Sequence, residues 1–123
     1  MSPGKPHPEP EVLYHLCTFQ PDEELPALYH PESLEREGFI HLSTAEQLAR
    51  TANRFFQQFA EVQVLAIATA RVEAEIRWEE SEPGEAPFPH LYGELPREAV
   101  VWRKSWRREV SGEYAHPPLE PAS

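Results

Sequence analysis

The chain has 123 residues and a mass of 14.1 kDa, which is the size of one domain. Its net charge of −10 and isoelectric point near 5.0 argue against binding of duplex nucleic acid, because such binding depends on neutralising phosphates. The single cysteine, Cys17, excludes an internal disulfide framework, and with no long apolar segment present we expect a cytoplasmic protein without a membrane partner.

The two ends of the chain are rich in proline. MSPGKPHPEP at the start and AHPPLEPAS at the end hold four and three of the 14 prolines, with few apolar residues to offset the entropy of ordering them. The composition therefore predicts flexible tails over residues 1–11 and 111–123. A single α+β domain is expected over residues 12–110.

The first half of this domain is predicted to contain two strands separated by a loop. VLYHLCT, residues 12–18, is short and rich in aliphatic and aromatic residues, as strands are. The acidic segment 22–38 is interrupted by Pro26 and Pro31, which favours a loop with one or two helical turns and makes it a candidate lid. Residues 39–43 form the next predicted strand.

A helix is predicted directly after this second strand. Apolar residues recur at steps of three and four, which places them on one helical face against a sheet; they are Leu48, Ala52, Phe55, Phe56 and Phe59. Ser43 is followed three residues later by Glu46, and Thr44 by Gln47, so either hydroxyl fits a capping box.

The second half of the domain is predicted to be strands. VQVLAIAT, residues 62–69, suits a strand buried on both faces, and EIRWEE, residues 75–80, alternates. FPHLYG contains Pro89, which favours an edge strand or a strand start. PREAV is expected to make a turn before a last strand, VVWRKSWRREV, with both tryptophans on one face. The order predicts an α+β fold, with one main helix on a small, twisted, mainly antiparallel sheet.

Three histidines occupy matching contexts, at the centres of short apolar strands. Strand alternation places His41 on the face of Ser43, His90 on the face of Tyr92, and His15 on the face of Cys17. A single histidine in such a place is more often a core residue bonded to a carbonyl. Three in matching contexts predict one cleft lined by imidazoles and hydroxyls.

Charged residues near these strands add further candidates. Arg77 and Glu79 share a strand face, and a cleft carboxylate could act on a developing cation or a ribose hydroxyl. A solvated face with a salt bridge is the alternative for this pair. Arg50 and Arg54 either attract an anion at the helix start or face solvent.

Other chemistries find weaker support in the sequence. A three-histidine metal site remains an alternative, although HExxH and HxH motifs are lacking. A serine hydrolase lacks the GxSxG turn, and Ser43 has a ready role as a helix cap. The WRKSWRR run has the ingredients of a surface for single-stranded nucleic acid, but a pair of core tryptophans with a basic edge explains it more simply.

Two blocks, GFIHLSTAEQ and FPHLYGELPREAV, with LYH before them and RWE between them, resemble the bacterial family called domain of unknown function 952. The resemblance covers about residues 12–105. That family looks distantly similar to the ADP-ribosyltransferase fold, which includes the RNA 2′-phosphotransferases that use NAD. The fold so implied is ADP-ribosyltransferase-like, with a mixed and split sheet that forms an NAD cleft.

The resemblance also implies roles for individual residues. His15 matches the strand histidine that contacts the ribose, and the His41-Leu42-Ser43 stretch resembles the HxS strand of the phosphotransferases. Neither Glu79 nor Glu94 matches the late catalytic glutamate of such transferases, and the arginine-rich start that holds RNA phosphate is absent. These departures favour a small nucleotide over RNA.

The leading hypothesis is a nucleotide-cleft protein that binds or processes NAD, ADP-ribose or a related metabolite. In it His41, Glu79 and His90 are the catalytic candidates, and the ligand is held by His15, Ser43, Arg77 and Tyr92. Enzymatic activity would be that of an NAD-dependent ADP-ribosyl or phosphoryl transferase. The alternatives are a non-catalytic ligand- or protein-binding module and the metal site.

Overall fold

A computed structural model of the chain describes residues 10–119. The predicted N-terminal tail, apart from Pro10 and Glu11, lies outside these residues, as do the last four residues of the predicted C-terminal tail. The described part contains eight strands and two helices. In chain order they are β1 (Val12–Cys17), β2 (Leu28–Tyr29), α1 (Glu32–Glu37), β3 (Ile40–His41), α2 (Leu48–Phe55), β4 (Glu61–Ala68), β5 (Glu75–Glu79), β6 (Phe88–Tyr92), β7 (Leu95–Pro96) and β8 (Val100–Arg107).

The strands form two three-stranded sheets and one two-stranded sheet, ordered β1-β4-β8, β3-β6-β5 and β2-β7. Every pair of neighbours is antiparallel. The two larger sheets meet where Tyr14 and Ser43 exchange backbone hydrogen bonds of 2.9 and 2.7 Å. The predicted α+β class with antiparallel sheets and one main helix is confirmed, and the sheet is split as expected, but the described strands are all antiparallel and not mixed.

Strand β4 is buried on both faces, as its continuous apolar run predicts. Leu65 and Ile67 face one apolar cluster, whereas Val62 and Val64 face another. Trp102 and Trp106 of β8 both contact the second cluster, so their predicted shared face is confirmed.

The main helix is shorter than its apolar pattern predicts. Thr44 and Gln47 form the capping box, followed by a 3₁₀ turn over Ala45–Gln47 and then by α2. Leu48 and Ala52 are fully buried, but Phe55 is 57% exposed and Phe59 lies beyond the helix. The predicted face is wrong for these two phenylalanines because the helix ends after two turns.

Strand β6 is the central strand of its sheet, so of the two positions predicted for Pro89 the edge is wrong, while the strand start is close, since Pro89 is the second residue of β6. The carbonyl of Pro89 accepts the Leu42 amide at 3.0 Å, which shows that the backbone of Pro89 faces β3. Its missing N–H therefore falls opposite Leu42, directly after β3 ends at His41. An interior proline is tolerated because its neighbour strand stops there.

The chain after β8 packs back onto the domain. Tyr114 is 1% exposed, its ring lies 5.0 Å from that of Trp106, and its hydroxyl donates to the carbonyl of Phe59. This residue lies in the segment expected to be a flexible tail, and one aromatic anchor accounts for the difference. Within residues 10–119, no helix is long and apolar enough to cross a membrane.

Candidate functional site

A cavity of about 510 Å³ lies among the end of β1, the segment 29–37, helix α2 and the β3–β6 pair. Its lining includes His15, His41, His90 and Ser43, which the sequence predicts to share a cleft. It also includes four aromatic rings and, besides Ser43, four hydroxyl side chains; these are Tyr29, Phe55, Phe56 and Phe88, and Thr18, Ser33, Thr51 and Ser81. The segment proposed as a lid therefore forms one wall.

His15 is the most enclosed of the three histidines. Its Nδ1 lies 2.8 Å from the carbonyl oxygen of His41, so Nδ1 carries the hydrogen, and Nε2 accepts the Tyr29 hydroxyl at 3.0 Å. Burial lowers the pKa of His15 to about 4, and burial also raises the pKa of Tyr29. His15 is therefore a neutral group whose two ring nitrogens both bind the protein.

His41 lies at the rim of the cavity, with a half-exposed side chain. Its Nε2 donates to Oε2 of Glu37 at 2.7 Å. Glu37 is the last residue of α1 and also lines the cavity. Because Gly38 ends the helix in the left-handed conformation, with φ of 88°, the chain turns sharply into β3 and places the two side chains together.

His90 is directly paired with His41 across the sheet, and their ring centroids are 5.3 Å apart. Nδ1 of His90 donates to Oε1 of Glu79 at 2.8 Å, which directs the other ring nitrogen away from the carboxylate. Phe39 stacks on the His90 ring at 4.0 Å and 15°. Burial lowers the pKa of His90, and the hydrogen bond with Glu79 opposes this shift.

Glu79 does not line the cavity, but it accepts a hydrogen bond from His90, which does. Its Oε1 also accepts the Tyr92 hydroxyl at 2.6 Å, and this bond, followed by that from His90, lowers the pKa of Glu79. The predicted catalytic glutamate is therefore linked to the cavity only indirectly, through its hydrogen bond to the imidazole of His90. Its geometry fits a residue that fixes the tautomer and orientation of His90.

Arg77 and Tyr92 stay outside the cavity. The Arg77 guanidinium lies 4.4 Å above the Tyr92 ring and 3.1 Å from Oε1 of Glu75. Their strand face is the one predicted, since Arg77 pairs directly with His90. Arg77 lies on the edge strand β5 and Tyr92 is the last residue of β6, and neither lines the pocket, so the predicted direct contact of these two residues with a ligand is not supported.

Ser43 lines the cavity but does not cap the helix. It is 2% exposed and its Oγ lies 3.1 Å from the Thr51 hydroxyl of α2. The cap is Thr44. The sequence predicts either Ser43 or Thr44 as the helix cap. Ser43 stays in the sheet because its backbone forms a bridge with Tyr14.

Arg50 and Arg54 are paired with glutamates of the loop that follows β5. Arg50 lies 2.8 Å from Glu85, and Arg54 lies 2.8 Å from Glu82 and 3.5 Å from Glu85. Neither arginine lines the cavity. The possibility that they attract an anion is therefore weakened, because their charges are already matched.

A metal site and a cysteine nucleophile can also be compared with this geometry. Within residues 10–119, no three histidine, cysteine or acidic side chains are grouped as metal ligands. Cys17 lines the cavity, but burial raises the pKa of its thiol to about 11, so it is a poor nucleophile. The imidazole–glutamate pairs are the groups best suited to chemistry.

Sequence reasoning missed Tyr29 and Glu37, the partners of His15 and His41. Both lie in the acidic, proline-interrupted segment, which has no periodicity that assigns a direction to its side chains. The four-residue step from Glu37 to His41 is no helical signal, because α1 ends at Glu37 and His41 lies in β3, so the sequence carries no clear signal for either partner.

Comparison with known proteins relates this site to a family. The model of a family described as "Protein of unknown function (DUF952)" matches residues 20–103. Two crystal structures of protein CC0527 from Caulobacter crescentus, one of a double mutant, are 25% identical, with TM-scores of 0.68 and 0.67, and cover 83% of this chain and 91% of that one. Its solution structure has a TM-score of 0.65 at 25% identity, covering 85% of this chain and 91% of that one.

None of the curated proteins matches the chain. On the family match over residues 20–103, the chain belongs to the DUF952 family, whose function is unknown.

Proposed function

We propose that the cavity binds a small molecule of the nucleoside class and that His41 and His90 act on it as acid–base groups. The observation that carries this proposal is that three histidines from three separate strands reach one cavity of about 510 Å³. That volume lies within the range of small-molecule sites, roughly 300–1,000 Å³. NAD and ADP-ribose are the compounds that the ADP-ribosyltransferase resemblance implies.

The lining supports a ligand that has a flat ring and hydroxyl groups. Phe55, Phe56 and Phe88 offer ring faces for stacking, while Ser43 and Thr51 can exchange hydrogen bonds with sugar hydroxyls. Phe55 is 57% exposed, so its ring is accessible to a ligand from solution.

The acid–base roles rest on the two imidazole–carboxylate pairs. Glu79 accepts the Nδ1 hydrogen of His90, so the lone pair of Nε2 is left as the basic site. His41 donates through Nε2 to Glu37, which leaves Nδ1 for a ligand. Glu79 is then a positioning residue, and His15 holds the backbone of His41 rather than the ribose.

A non-catalytic binding module on the same fold is the second candidate. It is favoured by His15, whose two ring nitrogens are both occupied by protein atoms, and by Glu79, which does not reach the cavity. The cytoplasmic location is part of either proposal and is supported by the single, unpaired Cys17.

Calorimetric titration of the full chain with adenosine, nicotinamide riboside, NAD and ADP-ribose tests binding. We expect at least one nucleoside to bind with a millimolar or tighter dissociation constant; heats indistinguishable from dilution for all four would refute the proposed function.

Incubation with the same compounds and chromatography of the products then tests turnover. We expect the His90→Gln variant to lose about 10²- to 10⁴-fold in rate, and the exposed His116→Gln variant to retain it. Binding without any product selects the non-catalytic module.

A further inference from the structure

The charges around the cavity define which part of such a ligand can enter it. Among residues 10–119, the lining contains two carboxylates, Glu32 and Glu37, and neither lysine nor arginine. Phosphate sites in proteins ordinarily provide guanidinium, ammonium or helix N-terminal groups. The lining carries carboxylates instead, and the helix start that it includes, at residues 31–33 of the six-residue α1, itself bears Glu32.

Two arginines on the helices beside the cavity are already matched by carboxylates, and Arg103, whose charge acts on the lining residue Cys17, does not line the cavity and donates to backbone carbonyls. Arg54 lies 5.3 Å from the ring of the lining residue Phe55, but it also binds Glu82 and Glu85, and Glu85 binds Arg50. Arg36 lies 3.2 Å from Glu32, so these two exposed charges largely offset each other. The ion-pair partner of Glu37 among residues 10–119 is a histidine, His41.

Glu37 is the charge that remains at the rim. Its partner is His41, a base that is cationic only when protonated, and the Glu37 side chain is 47% exposed. A carboxylate in this position repels an anion that enters between α1 and β3, and it attracts a cation.

We infer that the cavity selects phosphate-free nucleosides, uncharged or cationic, and disfavours their phosphate esters, with Glu37 as the specificity-determining residue. This inference rests on the proposed function, because it names the substrate class of the same cavity. Of the compounds that the family resemblance implies, the nucleoside portion then occupies the cavity and phosphate groups weaken binding.

Two matched ligand pairs test the inference by calorimetry. Adenosine and AMP differ by one phosphate, as do nicotinamide riboside and its mononucleotide. We expect each phosphate-free member to bind about tenfold more tightly, an effect of the size expected for one charge repulsion near a protein surface. Raising the ionic strength from about 0.01 to about 1 M should bring the two affinities together, since salt screens the repulsion.

Two variants on helix α1 separate local from overall charge. Glu37→Gln should reduce the adenosine preference to about threefold or less, in line with the loss of one nearby charge. Glu35→Gln makes the same change in net charge at an exposed residue that does not line the cavity, and it should keep the full preference. An equal effect of both variants would overturn the role of Glu37.

The outcomes distinguish this inference from the proposed function. If AMP binds the unmodified protein as tightly as adenosine, or if its affinity falls as salt rises, charge selection is refuted while the nucleoside site stands. If neither member of either pair binds, both are refuted. The salt titration uses the unmodified chain, so the result does not depend on the folding of a variant.

Discussion

The two three-stranded sheets differ in how many of their faces are covered. In the β1-β4-β8 sheet, both faces of β4 pack on apolar clusters, and its six central residues are buried. In the β3-β6-β5 sheet, Ile40, Leu91 and Ile76 pack on one face, while the other carries His41, His90 and Arg77 in register. The first sheet stabilises the domain, and the second has a face free for polar chemistry.

The largest expected difference between the sheets is in stability. Leu65→Ala, at a fully buried position of β4, should lower the free energy of unfolding by about 2–5 kcal/mol, because it removes apolar contacts and leaves a cavity. Arg77→Ala, on the open face of β5, should cost about 1 kcal/mol or less. Urea denaturation measures both. Similar losses would mean that the two sheets contribute equally.

The pH dependence of stability tests the enclosure of His15 on the covered sheet. Its pKa is about 4 in the folded protein, against 6.5 when unperturbed. The unfolded chain therefore binds more protons between these values, so the stabilisation is complete above pH 6.5 and is lost as pH falls towards 4. The loss should be about 3 kcal/mol, at 1.36 kcal/mol for each pH unit.

Denaturation curves between pH 7 and pH 4 measure this loss. His15→Gln should flatten the dependence on pH in that interval. His30→Gln is the matched control, because bonding to Glu94 raises the pKa of His30, so its contribution to stability has the opposite dependence on pH. A slope unchanged by His15→Gln would show that His15 is not the responsible group.

Removing the hydroxyl of Tyr29 or of Tyr92 compares a covered environment with an open one directly. Tyr29→Phe leaves the buried Nε2 of His15 without its donor, and we expect a cost of about 1–3 kcal/mol. Tyr92→Phe removes a bond to Glu79, whose side chain is 40% exposed and can bind water instead, so the cost should be smaller. Thermal unfolding of both variants decides the order, and a larger loss for Tyr92→Phe would contradict it.

Glu79→Gln is expected to change the stability least among these variants, but to change the titration of His90 clearly. In Glu79→Gln the bond that raises the His90 pKa loses its charge, so the pKa of His90 should fall further below its ordinary value. Imidazole ¹⁵N resonances followed against pH report this shift. Tyr92→Phe, which leaves the His90–Glu79 bond in place, should move the His90 titration less. An unchanged titration in Glu79→Gln would show that Glu79 does not position His90.

The parts of the fold that follow from periodicity could be predicted from the sequence. The apolar run of β4 predicted its burial, and alternation placed His41 beside Ser43 and His90 beside Tyr92 on shared faces. Each of these expectations depends on one strand and its period of two. The common cavity of the three histidines follows from that alternation once the strands are neighbours.

The parts that depend on tertiary context could not be predicted. Pro89 suggested an edge strand because the end of β3 at its neighbour is not visible in the sequence. Tyr114 resembled part of a tail because its contacts with Trp106 and Asn53 are distant in sequence. Arg77 was placed in the cleft by its face alone, but the position along the sheet decides contact as much as the face does.

Imidazole ¹⁵N spectra of the full chain during titration with adenosine show whether a nucleoside occupies the histidine-lined cavity. We expect the ring resonances of His41 and His90 to move together with one saturable dissociation constant, while those of His30 and His116, outside the cavity, stay in place. Saturable binding of adenosine that leaves the His41 and His90 resonances unchanged would place the ligand elsewhere and refute the proposed site.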